Sequence, residues 1–192
     1  MWMVWIIWSI MVAHLSQNDM MNKIQETRPS YNDPQTSDTG KCRQFWAAVS
    51  KGDFAKVYRL DPYARISFIK NGVPSGMFTQ LARSMVTPNE RLTNLMGLSN
   101  STMKRNVRND AVLSVDAGER LVGLLKLIGQ VATIVEESGN PDGFDPATWF
   151  ATWISAPAAV LGGRKPEEFL DTAEGRETLG RLLAQMQSGA YA

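Results

Sequence analysis

From Val73 onward the apolar positions follow a helical period. Met77, Phe78, Leu81, Ala82 and Met85 fall at i, i+1, i+4, i+5 and i+8, one face of a helix. Thr87-Pro88-Asn89-Glu90 predicts the start of the next: Thr87 as cap, Pro88 in the first helical position, Glu90 closing a capping box. Leu92, Leu95 and Met96 supply its buried face, and Gly97 stands where a left-handed C-cap belongs. Leu98-Ser99 turns the chain. Ser99 then caps a short helix to about Arg108, with Met103 and Val107 facing inward. Ser114 caps a longer helix, striped by Leu121, Leu124, Leu125, Ile128, Val131, Ala132 and Val135 and stopped by Gly139-Asn140-Pro141. Strand-like alternation is nowhere long enough for a sheet, so the predicted fold class is all-α.

The pattern continues differently after Asp145. Asp145 as cap and Pro146 as first residue start a helix in which Trp149, Phe150, Trp153 and Ile154 should share one core face. Pro157 ends or bends it. Gly162-Gly163 allow backbone angles closed to other residues, or the close approach of another chain. Pro166 opens a short helix with Glu167 and Glu168 at its positive end. Asp171 and Glu174 form a cap pair for a last helix whose stripe is Leu179, Leu182, Leu183 and Met186.

The beginning of the chain has another character. Met1 to Ala13 are apolar except Ser9, yet a spanning helix needs about 20 such residues, and a signal peptide would show a basic start. Three readings are weighed: a membrane or signal segment, a helix that packs on the protein or a partner, and translation that really begins at Met20 or Met21. Residues 16–44 are polar, with few apolar anchors, and read as a disordered linker; order is expected from Phe45-Trp46. The expected organisation is a leader over 1–44, a helical domain over 45–138 and a small module over 139–192.

Charge and rare residues narrow the function. Residues 1–73 hold nine basic and six acidic side chains, 74–135 seven and four, and 136–192 four and nine, within a chain of net charge +1. A basic middle beside an acidic end suggests two surfaces with different partners. One Cys and one His make neither an internal disulfide nor an ordinary zinc site. Phosphate-loop glycines and a nucleophile elbow are missing from the sequence, so catalysis is not expected, nor is a cofactor.

The two short helices from Thr87 to Gly97 and from Ser99 to Arg108, with a tight turn between them, have the layout of a helix-turn-helix. Around its core face the second helix carries Asn100, Ser101, Thr102, Lys104, Arg105 and Arg108. Hydroxyl and amide side chains near a helix N-terminus suit base edges or phosphate. Arg105 suits bidentate contact with guanine, and Lys104 and Arg108 suit phosphates. A solvated basic helix in an ordinary bundle is the plainer alternative.

Trp153, Pro157, Leu161-Gly162-Gly163, Pro166, Thr172, Gly175 and Gly189, in that order, resemble the toxin-binding domain of the Xre/MbcA/ParS antitoxin family. The resemblance extends upstream to about Ile66. One departure is Ser101-Thr102-Met103, where the family often has Arg-Thr-Leu; Met keeps the packing volume, and the polar change bears on operator sequence. The resemblance implies a helix-turn-helix domain followed by a toxin-binding module. It implies a RES-domain, NAD-consuming toxin as partner, with the toxin's cleft covered by this chain's C-terminal end. Leu161, Gly162, Gly163, Arg164, Gly189 and Tyr191 are then the expected toxin contacts. Operator DNA, a homodimer and a cytoplasmic location follow as expectations, with no membrane partner. A stand-alone transcriptional regulator without a toxin is the first rival, and a membrane-associated protein built on Met1–Ala13 the second.

Overall fold

The long apolar stripe after Ser114 becomes the axis of the molecule. The computed structural model describes residues 38–139 and 141–187, so Met1–Ala13 and most of the expected linker lie outside the described residues. Nine α-helices are found among them: α1 (Asp38–Val49), α2 (Ala55–Arg59), α3 (Pro62–Asn71), α4 (Gly76–Ser84), α5 (Asn89–Leu95), α6 (Asn100–Arg108), α7 (Val115–Glu137), α8 (Pro146–Ser155) and α9 (Ala173–Gln187). Short 3-10 turns span Ala159–Leu161 and Pro166–Phe169. The one β pairing among the described residues is an isolated bridge between Pro74 and Val112. The all-α expectation therefore holds.

Helix α7 is the core. Leu121, Leu124, Leu125 and Ile128 are wholly buried on it, and α2, α3, α8 and α9 all pack against it. From Thr39 onward the described residues form one compact unit around a single hydrophobic cluster. Gly129 lets α2 come close: an added Cβ would lie 2.2 Å from the Phe54 carbonyl oxygen. The chain becomes helical at Asp38, seven residues before the expected start of order. Helix α1 is anchored by Trp46 and Val49, and Phe45 stacks on Phe68 with ring centroids 4.5 Å apart.

Several cap predictions hold. The Ser99 hydroxyl accepts from Thr102 N, Ser114 from Ala117 N, and Asp145 from both Ala147 N and Thr148 N. Gly97 adopts φ 61°, left-handed as expected after α5. Two caps differ. Helix α5 begins at Asn89 without a side-chain cap, and the Thr87 hydroxyl donates back to the Met85 carbonyl at 3.0 Å. The chain enters through Val86 at φ 50°, which leaves Thr87 facing the preceding turn; Glu90 closes no box and turns to Lys104 instead. At α9 the cap is Thr172, whose hydroxyl accepts from Gly175 N at 3.0 Å, and not Asp171. The third helical position is Gly175 because a Cβ there would lie 2.0 Å from the Phe169 carbonyl oxygen.

Two stripes also differ from expectation. Phe150 and Ile154 are buried, but Trp149 and Trp153 are half-buried and stack on each other at 5.9 Å. Met186 is 39% exposed, at the end of α9 where Gln187 reaches Glu137 at the end of α7.

Candidate functional site

Helices α4, α5 and α6 converge on Phe78, Leu81, Leu92, Met96 and Met103. Burial of Met103 fixes which side of α6 faces out. Ser101, Thr102, Lys104, Arg105 and Arg108 are all exposed. Among the described residues, Arg105 and Arg108 carry no ion pair. The other polar groups are partly engaged. Asn100 donates to the Asn94 side chain at 3.0 Å, and the Ser99 and Ser101 hydroxyls share a bond of 3.0 Å. Lys104 Nζ lies 2.6 Å from Glu90 Oε1, and this hydrogen bond, with the charge of Lys104, holds the Glu90 carboxyl below its usual range. Thus six side chains predicted from spacing do line one helix, but Lys104 meets an internal anion. Nothing in the sequence pattern links positions 90 and 104; only the α5–α6 crossing does.

The second candidate surface is the turn after α8. Gly162 and Gly163 sit at φ 66° and 81°, and a Cβ added at either would meet nothing within 4 Å. Backbone angle, not close approach within this chain, is therefore what requires glycine here. The turn closes on itself: Gly163 N donates to Ala158 O, and Ala158 N to Arg164 O, both at 3.0 Å. Leu161 is half-buried beneath it. Arg164 lies 4.8 Å over the Phe169 ring and donates through Nε to Glu168 at 3.0 Å. The Lys165 backbone N–H, then Arg164, keep the Glu168 carboxyl below its usual range. The Leu161–Arg164 predictions thus fall on one exposed, internally braced turn. Gly189 and Tyr191 lie outside the described residues.

Sequence reasoning missed the seam between these surfaces. Arg91, on α5, donates to Ser155 Oγ at 3.0 Å and to Glu167 Oε2 at 2.7 Å. Arg120 Nη1, from α7, spans the Met96 and Asp171 carbonyls at 2.9 and 2.8 Å. The Thr148 hydroxyl reaches Ser84 O at 3.4 Å. Arg176 is buried beside Gly123, donates to Leu170 O at 2.9 Å and faces Glu119; that burial lowers its pKa. Arginine in a helical pattern reads as solvated surface, so these links leave no mark in hydropathy.

The comparisons place both surfaces in known domain types. Residues 64–126 match the Antitoxin Xre-like helix-turn-helix domain. Residues 142–189 match the Antitoxin Xre/MbcA/ParS C-terminal toxin-binding domain. The chain is also similar to the "Prs ADP-ribosylating antitoxin" of Sphingobium sp. (strain YBL2), 37% identical over 139 residues, which is 72% of this chain and 87% of that one. Among the described residues no helix is long and apolar enough to cross a membrane, and no His, Cys, Asp and Glu cluster suits a metal.

Proposed function

The chain belongs to the Xre/MbcA/ParS antitoxin family, and from that premise we propose that it neutralises a RES-domain toxin by covering its NAD cleft and represses its own operon. It is an antitoxin with a helix-turn-helix domain and a toxin-binding domain. The observation that carries the finer reading is the similarity to the Sphingobium protein, whose name pairs an antitoxin with ADP-ribosylation. That reaction consumes NAD, transferring its ADP-ribose and releasing nicotinamide, as an NAD-consuming RES partner would.

On this reading the Leu161-Gly162-Gly163-Arg164 turn and the end of the chain, Gly189 and Tyr191, meet the toxin. Asn100, Ser101, Thr102, Lys104, Arg105 and Arg108 meet operator DNA, in the cytoplasm. A single helix-turn-helix covers little DNA, so two copies are proposed to bind half-sites about 34 Å apart. The chain itself performs no chemistry; inhibition is steric.

The test is NAD consumption by the purified RES-domain toxin encoded beside this gene, titrated with the full chain and with a form lacking 189–192. Inhibition by the full chain and weaker inhibition by the shortened one are expected. A toxin indifferent to the full chain overturns the reading. A gene neighbourhood without a RES protein, together with operator binding, favours a stand-alone regulator.

A further inference from the structure

Helices α7 and α9, with α3 along one side, border a groove of about 560 Å³, the size of a small-molecule site. Six charged side chains line it, four cations and two carboxylates. Each carboxylate already has an arginine. Glu119 faces Arg176 at 3.6 Å, and Glu177 accepts from Arg181 at 3.0 Å. Arg65 and Lys126 are left over, and among the described residues neither forms an ion pair. Arg65 is fixed in advance. Its Nε and Nη2 donate to the carbonyls of Val57, Tyr58 and Leu60, so Nη1 is left with no protein acceptor among the described residues. Lys126, on α7, opens on the same groove. Burial lowers its pKa, the charge of Arg65 lowers it further, and Glu177 offsets part of this. Burial also lowers the pKa of Arg65, which Asp61 offsets in part. Two like charges are thus held near each other, partly desolvated, with no carboxylate between them. That placement disfavours the folded state, and groups so perturbed gather at sites that bind something.

We propose that Arg65 and Lys126 bind the phosphoryl group of a small phosphate-bearing molecule in this groove. Guanidinium and ammonium groups only donate, so their ligand must present acceptors. Two positive charges without a counter-ion match a dianion. A phosphoryl group carries nearly two negative charges at neutral pH on oxygens around one centre, where both donors can meet it. A single carboxylate would neutralise one cation and leave the other. The two donors differ in kind. Arg65 is immobilised by three carbonyls, while the stem of Lys126 can move its point charge to suit the ligand. Arg176 is not a third ligand. It is buried, its Nη1 is committed to the Leu170 carbonyl, and its charge faces Glu119. It lies across Gly123, where an added Cβ would stand 2.5 Å from its Nε, and so forms the floor of the groove. The space above that floor exceeds one phosphoryl group and leaves room for the body that carries it.

The experiment is calorimetric titration of the full chain, without toxin or DNA, with inorganic phosphate, pyrophosphate, ADP and succinate. Saturable binding of the phosphates is expected, with succinate weaker because its two charges sit on separate carboxylates. Lys126→Met keeps the stem and removes the charge. It should weaken phosphate binding about tenfold or more, the worth of one charge-assisted hydrogen bond. The thermal midpoint of the ligand-free chain should not fall, since one of two like charges is gone. Lys126→Arg should keep the binding, and Lys51→Met, at an exposed lysine outside the groove, should leave it unchanged. Inorganic phosphate that binds as tightly as the other two makes free phosphate the source of the group; a tighter ADP makes a nucleotide the source. No saturable binding of any phosphate overturns the inference, as does binding that Lys126→Met leaves intact or that succinate equals. Loss of operator affinity in Lys126→Met, with a reduced salt slope, also overturns it, because the groove would then belong to the DNA surface.

Discussion

Val86 is a β-branched residue at φ 50°, in the left-handed region, and its side chain is 78% exposed. The left-handed conformation costs an L-residue roughly 1–2 kcal/mol. Glycine adopts it freely but loses about 0.5–1 kcal/mol more chain entropy on folding. No burial is forfeited at so exposed a site, so the first effect wins. Val86→Gly should raise the thermal midpoint by a few degrees; a lower midpoint in calorimetry would show that the Val86 conformation is not strained. Gly129 carries the opposite sign. In a helix interior Gly→Ala ordinarily gains about 1 kcal/mol. Here the new methyl would stand 2.2 Å from the Phe54 carbonyl oxygen and 3.1 Å from Tyr58 Cβ. Overpacking of that kind costs about 1–3 kcal/mol or more, so Gly129→Ala should lower the midpoint. Both positions were silent in the sequence, where no motif singles out either residue. Only the approach of a neighbouring backbone distinguishes them.

At the scale of elements, α6 carries the sharpest expectation. Lys104 is paired with Glu90 while, among the described residues, Arg105 and Arg108 have no ion pair, so the three should not contribute alike. Each phosphate contact adds about −0.9 to the slope of log affinity against log salt. Replacing all three with Ala should abolish operator binding and leave toxin binding intact. Arg105→Ala or Arg108→Ala alone should cost more affinity than Lys104→Ala. Equal losses in a filter-binding titration would mean that Lys104 leaves Glu90 on meeting DNA. Elements of this kind were largely legible beforehand. Ser99, Ser114 and Asp145 announce their helices because a hydroxyl or carboxylate must satisfy open N–H groups. The spacing of Met103 and Val107 sets which side of α6 faces out. Helices α2 and α3 were not foreseen: α2 is only five residues long, and Arg65 interrupts the apolar pattern of α3, where its role as donor to three carbonyls is a tertiary fact. Likewise Thr172 and not Asp171 caps α9, because the helix starts at Ala173 and the residue just before it meets the free Gly175 N–H. The Leu161–Arg164 turn was legible as a turn because left-handed angles demand glycine there.

In the whole molecule, the helix-turn-helix and the toxin-binding module are not beads on a string. Arg120 rises from the central helix and holds the carbonyl of Met96, at the end of α5, and that of Asp171, just before α9. A Cβ on Gly97 would lie 3.0 Å from Asp171 Cβ, so the two segments meet at that point. Arg91 fastens the other part of α5 to Ser155 and Glu167, three residues beyond the Arg164 turn. The position of α5, and through it of α6, therefore depends on the module. Arg120→Met keeps the side-chain length and removes the donors. Hydrogen bonds from a charged group to carbonyls contribute about 1.5–3 kcal/mol. With the Arg120 side chain about a quarter exposed, a loss of about 2 kcal/mol is expected, a fall of roughly 4–8 °C in the midpoint. Operator affinity should fall as well, by roughly three- to tenfold, less than 1.4 kcal/mol. Because Arg120 touches the Met96 carbonyl rather than DNA, the salt slope should stay that of the unaltered protein. That separates a residue that positions the reading helix from one that contacts phosphate. A reduced slope would make Arg120 a phosphate ligand, and an unchanged affinity would mean that the bridge supports the fold without setting the angle of α6.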